Sequence, residues 1–229
     1  MKPIKYWITA IMLAGAGIAG AEDGAAILKG QCSSCHTLAG PAPATLQELW
    51  NRKGPDLFYA GNKYKADWLE AWLQKPVRIR PAGMFYADHV KAGADGDEID
   101  AGTLSLHPAL SAPEARAVTA ALMDLKGRSD LITAGAYTPG TLSRSSGEML
   151  FDKFKGCLAC HEIEPGYGGL SGPEVYTAGQ RLQEDWLASF LRDPHAWDPK
   201  IFMPNKHINE TDARKFIDYF RLLSEEGAQ

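Results

Sequence analysis

The sequence predicts a mainly α protein made of two tandem helical modules, and three observations lead there. One short cysteine motif occurs twice, as Cys32-Ser33-Ser34-Cys35-His36 and as Cys157-Leu158-Ala159-Cys160-His161. The same ungapped series of landmarks runs behind each copy. Apolar residues within each series recur at helical spacing. With 229 residues, 45% of them hydrophobic and 23% charged, the chain can form one large or two small domains. That composition excludes collagen, a coiled coil and a largely disordered chain.

The first 21 residues read as an address. Lys2 and Lys5 make a basic start, Tyr6 to Ala19 is apolar or small, and Ala19-Gly20-Ala21 fits a cleavage site ahead of Glu22 and Asp23. This is the layout of a secretory signal peptide cleaved after Ala21. The alternative is an uncleaved anchor, but Tyr6 to Ala21 is only 16 residues, and a spanning helix needs about 20. The full chain carries 24 basic and 28 acidic residues, a net −4. Losing Lys2 and Lys5 leaves 22 against 28, a net −6. An exported, acidic protein without a basic stripe is not expected to bind nucleic acid.

All four cysteines lie in the two C-x-x-C-H motifs, the pattern of c-type haem attachment. Two thiols three positions apart can each add to one vinyl group of a porphyrin. The adjacent His36 or His161 then supplies an axial nitrogen to the iron. A redox C-x-x-C expects a βαβ setting, which is missing. A four-cysteine zinc site, or two disulfides, would leave both histidines without a role. No cysteine remains as a nucleophile.

The repeat is counted from Gly54-Pro55 and Gly172-Pro173. Seven positions on come Gly61 and Gly179, each after an alanine. Fourteen on come Trp68-Leu69 and Trp186-Leu187. Nineteen on come Leu73 and Leu191, and twenty-two on come Pro76 and Pro194. Trp68, Leu69, Trp72 and Leu73 share one helical stripe, as do Trp186, Leu187, Phe190 and Leu191. The prolines should stop those helices. The carbonyls of Pro55 and Pro173 are candidate acceptors for the Nδ1–H of His36 and His161, a contact that would fix each tautomer.

A terminal helix is expected in each module. Ser111-Ala112-Pro113-Glu114 is a capping box, followed by Ala115, Val118, Leu122 and Leu125 on one face. Asn209 can cap the second helix, whose stripe is Ala213, Phe216, Ile217, Phe220 and Leu223. Residues 129–143 are rich in Gly, Pro, Ser and Thr and read as a linker. This gives a signal peptide at 1–21, a first domain at 22–128, the linker, and a second domain at 144–229.

On these residues the chain resembles a diheme c-type cytochrome built from two class I cytochrome c domains. The resemblance covers nearly all of the chain after residue 21. It implies two covalently bound haem c groups, each wrapped by helices, and electron transfer in the periplasm. It also implies a methionine ligand loop, which Met203-Pro204 matches in the second module. His195 and His207 are rivals there, but neither precedes a proline.

The first module departs from that pattern. Pro76 to Arg116 is 20 residues longer than Pro194 to Arg214. The insertion is placed near 85–106, where Lys91 to Gly102 is acidic and expected to be flexible. Counted from upstream, Met84 falls one place from the position of Met203. Counted from the terminal helix, His107-Pro108 falls near it. His107 is taken as the ligand, with Met84 as the alternative and His89 or an open position behind them. Two histidines would put the first haem at a lower potential than a His/Met second haem.

The function expected is single-electron transfer between redox proteins, or service as the electron-transfer subunit of a respiratory or dehydrogenase complex. The chain is then not an enzyme. Its acidic surface would meet basic patches on its partners. Membrane contact would come only through those partners or an uncleaved anchor. A diheme peroxidase-like enzyme or a haem-based small-ligand sensor would require an open or labile first iron.

Overall fold

A computed structural model describes residues 23–94 and 96–227; the expected leader at 1–21 lies outside them. The first module runs α1 (Gly24–Ile27), α2 (Leu46–Trp50), α3 (Ala60–Lys63), α4 (Ala66–Gln74), the strands β1 (Val90–Ala92) and β2 (Asp97–Ile99), and α5 (Ala112–Met123). The second runs α6 (Arg144–Met149), β3 (Glu162–Glu164), β4 (Tyr167–Gly168), α7 (Ala178–Arg181), α8 (Glu184–Arg192), α9 (Pro194–Trp197) and α10 (Glu210–Glu226). The described chain is mainly α, with two short antiparallel hairpins.

Each module closes by crossing its first helix over its last. Asp23 caps α1 by accepting from the amides of Ala25 and Ala26, and α1 continues as a π turn, Leu28–Cys32, that delivers the first thiol. A Cβ on Gly24 would lie 2.0 Å from the Ala117 carbonyl of α5, so only glycine allows this approach. Ser143 caps α6, which also continues as a π turn, Leu150–Phe154. There Gly147 lies under the Tyr219 ring of α10.

The helix ends follow from local chemistry. Ser111 and Glu114 form the expected capping box at α5, and Asn209 accepts from the Asp212 amide at the start of α10. Helix α4 stops at Gln74, short of Pro76, and α8 stops at Arg192. Pro194 also opens α9, because its fixed φ suits a first helical position. Leu125 lies beyond the end of α5, where its carbonyl accepts from the Gly61 amide.

Two expected loops are more ordered than their composition suggests. The acidic insertion forms the β1–β2 hairpin, with Val90 opposite Ile99 and Gly96 at φ 130° in the turn. Residues 129–143 lie along the second module. The Gly135 and Tyr137 amides donate to Asp185, and the Gly140 amide and Tyr137 hydroxyl donate to Asp218.

The modules dock through equivalent residues. Tyr64 and Leu182, which share one place in the repeat, form an isolated antiparallel bridge. Around it the Lys65 amide donates to the Arg181 carbonyl at 3.0 Å, and the Gln183 amide donates to the Lys63 carbonyl at 2.9 Å. The side chains repeat the exchange: Lys65 Nζ reaches the Gly179 carbonyl, and Gln183 Nε2 reaches that of Gly61. Lys65 and Gln183 are themselves equivalent, as are Gly61 and Gly179, so these contacts are related by a local pseudo-twofold axis. Phe58 and Tyr59 of the first module are buried in the core of the second, with the Tyr59 ring 5.3 Å from Trp197.

Candidate functional site

The first Cys-x-x-Cys-His segment begins on the last residue of its π turn, and the second begins three residues after the end of its own. The four cysteines are free thiols in this fold. Burial pushes the Cys157 thiol up to about 11, and burial followed by Cys35 raises that of Cys32. This is the reverse of a redox C-x-x-C, whose nucleophilic cysteine is held low.

The histidines are positioned alike. His36 Nδ1 donates to the Pro55 carbonyl at 2.7 Å, and His161 Nδ1 donates to the Pro173 carbonyl at 2.6 Å. A proline carbonyl can only accept, so each Nδ1 carries a proton, and in the neutral ring Nε2 is the nitrogen with the lone pair. The glycines before these prolines make the contact possible. A Cβ on Gly54 would lie 2.6 Å from the His36 ring, and one on Gly172 would lie 2.6 Å from the His161 ring. Burial holds His161 below the usual histidine range, helped by Arg80 and Arg181 nearby. It is a neutral nitrogen donor at pH 7.

The first module brings a second imidazole to His36. The His107 ring centroid lies 6.2 Å from that of His36, with the planes inclined at 55°. His107 Nδ1 donates to the Pro108 carbonyl at 2.9 Å, so its Nε2 also keeps a lone pair. Burial pulls His107 below the ordinary range and His36 adds to the effect, which leaves it neutral. Two imidazoles sharing one metal ion, at about 2 Å from each nitrogen, place their ring centroids roughly 6 Å apart.

The apolar surround of this pair is exposed. The Trp72 ring lies 4.6 Å from His107 and donates from Nε1 to the Val77 carbonyl. Val77 is 66% exposed, and Leu106, next to His107, is 89% exposed. Exposed apolar side chains grouped at a ligand-type histidine suit an apolar body laid against them.

The other candidates fall elsewhere. His89 belongs to the inserted segment, with Nδ1 2.9 Å from Thr103 Oγ1 and its ring against Gly83. Met84 is half-buried beside Phe85, whose ring lies 5.0 Å from Trp50 and 6.3 Å from Phe202 of the second module. Met203 is half-buried and packs against the second core, as Cys157 and Leu158 do.

Sequence reasoning missed a set of buried and half-buried arginines at the module junction. Arg52 donates to Asp56 at 2.8 Å and to Asp198 of the second module at 2.7 Å. Arg181 pairs with Glu174 at 3.4 Å. Arg80 lies beside Ser171, next to the Gly-Pro pair that holds His161. An arginine close to a Gly-Pro pair is visible in the sequence at Arg52, but its cross-module partner is not. Compared with family models, curated proteins and solved structures, the chain matches none.

Proposed function

We propose that the chain is a diheme c-type cytochrome of two class I modules, exported to the periplasm, that carries single electrons between redox proteins. The observation that carries this reading is the histidine geometry, made twice. After two nearby thiols, an imidazole is fixed by a proline carbonyl and presents Nε2 as a metal donor. The residues fit the group. Two thiols lie three positions apart before each histidine, the Gly-Pro cradle orients the donor, and the spacing of His36 and His107 suits a shared metal ion.

Cys32, Cys35, His36 and His107 would hold one haem. Cys157, Cys160, His161 and Met203 would hold the other. Each haem, when bound, supplies a one-electron iron couple. The chain's own residues set the order of transfer. A nitrogen donor from His107 would favour a lower potential and the thioether of Met203 would favour the reduced state, which would set the direction from the first site to the second. The Tyr64–Leu182 bridge and its flanking bonds tie the two modules to each other.

A second imidazole beside His36 favours a carrier over a peroxidase or a small-ligand sensor, which need an open or labile first site. An acidic carrier would be steered to basic partner patches, with rates that fall as salt rises. The test is expression in a host that matures c-type cytochromes, followed by intact mass and haem spectroscopy. The expected result is the chain processed after Ala21 plus two haems, with no fast change on adding carbon monoxide. A colourless product, or one haem only, overturns the reading.

A further inference from the structure

The pseudo-twofold arrangement gives each module a segment that lies against the Gly-Pro loop of the other. In the repeat, Arg80 is equivalent to Asp198, and Leu170 is equivalent to Arg52. On one side of the axis Asp198 accepts from Arg52, beside the first module's Gly54-Pro55. On the other side Arg80 lies beside the second module's Gly172-Pro173. The first pair is an ion pair with a third member, Asp56, so the Arg52 charge is matched. Among the described residues the second side has no such ion pair, because leucine replaces the partner.

Arg80 is nevertheless held firmly in place. The Ile79 carbonyl accepts from the Glu174 amide at 2.8 Å, and the Ala82 amide donates to the Leu170 carbonyl at 3.4 Å. Residues 79–82 therefore strap residues 170–174, the loop that seats His161. Among the described residues, the guanidinium makes one hydrogen bond, to the Ser171 carbonyl at 3.4 Å, and no carboxylate lies within ion-pair distance. Burial pulls it below the usual arginine range, with Arg52 and Arg181 adding to the effect and Tyr64 and Asp198 offsetting only part of it. A half-buried arginine without a counter-charge is costly unless something anionic arrives. Its planar fork is the side chain best suited to a carboxylate.

We infer that Arg80, a first-module residue, binds a propionate carboxylate of the haem carried by the second module. The second site is then completed across the interface. The haem of the second module brings carboxylates of its own, and Arg80 is the unmatched cation beside the loop that positions its histidine. Arg80 acts here as a positioning residue. The inference rests on the diheme reading, and it adds that neither module alone builds the full second site.

The test uses the full-length holoprotein with Arg80→Gln and Arg80→Lys. Midpoint potentials of both haems are measured by spectroelectrochemical titration, and the propionate bending bands are read by resonance Raman. Removing the cation leaves the carboxylate charge uncompensated and favours the oxidised iron. Arg80→Gln should therefore lower the potential of the higher-potential haem and leave the other unchanged. Arg80→Lys keeps the charge but not the fork, so it should shift the propionate band of that same haem. An unchanged band in Arg80→Lys, or potentials that move equally or not at all in Arg80→Gln, overturns the inference while the diheme reading stands. A wild-type protein without two haems overturns both. If Arg80→Gln fails to fold, the Raman band of Arg80→Lys decides.

Discussion

The two modules share a repeat but not a core. The first buries Leu28, Ala60, Leu69, Leu73, Ala115, Val118 and Leu122, all aliphatic, and its Trp68 and Trp72 are only half-buried. The second buries Phe151, Trp186, Trp197, Phe216, Tyr219 and Phe220 fully, and takes in Phe58 and Tyr59 from the first. Its last helix is also longer, 17 residues in α10 against 12 in α5. Buried aromatic rings carry the largest apolar areas of any side chain. The second module can therefore hold together largely on its own contacts. The first leaves two tryptophans and several exposed apolar residues waiting for a cover, and a bound haem would supply it.

This difference can be broken most severely at the cysteines proposed to attach haem. Replacing Cys32 and Cys35 by alanine should remove one haem from the mass and also disorder the first module. Replacing Cys157 and Cys160 should remove one haem and leave most helical structure in place. Intact mass and circular dichroism on both double variants give the comparison, and equal loss of helix in the two would contradict it.

The next largest effect concerns the ligands. His107→Met should raise the potential of the lower-potential haem on the order of 0.1 V, within the span of about 0.8 V that axial ligands command. Met84→Leu should leave that potential where it was. The reverse pattern would make Met84 the ligand and bring the two modules closer in character.

A third contrast compares core truncations. Phe216→Ala should destabilise the second module by about 3–5 kcal/mol, and Leu73→Ala the first by about 2–5 kcal/mol. Denaturant unfolding of the holoprotein, followed at each haem, separates the two. The first module should unfold at lower denaturant in wild type and in the Leu73→Ala variant.

The smallest effect is acid fraying. Backbone amides of Ala44 and then Thr45 hold the Glu48 carboxyl below its usual range, and Ser111 does the same for Glu114. A carboxyl lowered by folding contributes stability above its unfolded pKa of about 4.3, and this is lost as pH falls toward the folded value. Both residues cap first-module helices, α2 and α5. The caps of α6 and α10 are Ser143 and Asn209, which do not titrate. Hydrogen exchange between about pH 5 and pH 3 should loosen α2 and α5 first. Parallel loosening in α6 and α10 would argue that the caps are not the cause.

Much of the fold is legible in the sequence because its signals are local. The stripes from Trp68 and Trp186, the box at Ser111 and the Asn209 cap each lie within a few residues, so spacing alone identifies them. The first crossing helices carry fainter signals. Gly24 and Gly147 are informative only once the helix each one meets is known. The hairpin in the insertion was hidden because its acidic composition outweighs one Val–Ile pair.

At the candidate site the same division holds. The sequence by itself determined which thiols and histidines stand together, since Cys32, Cys35 and His36 fall within one turn, and it placed a Gly-Pro pair downstream of each motif. Only the tertiary structure decided that His107 comes to His36, that residues 79–82 strap the second module's loop, and that Arg80 has no ion-pair partner among the described residues. A loop lengthened by 20 residues has no period from which its path can be counted. Where it returns depends on packing against Trp72, which the whole fold sets.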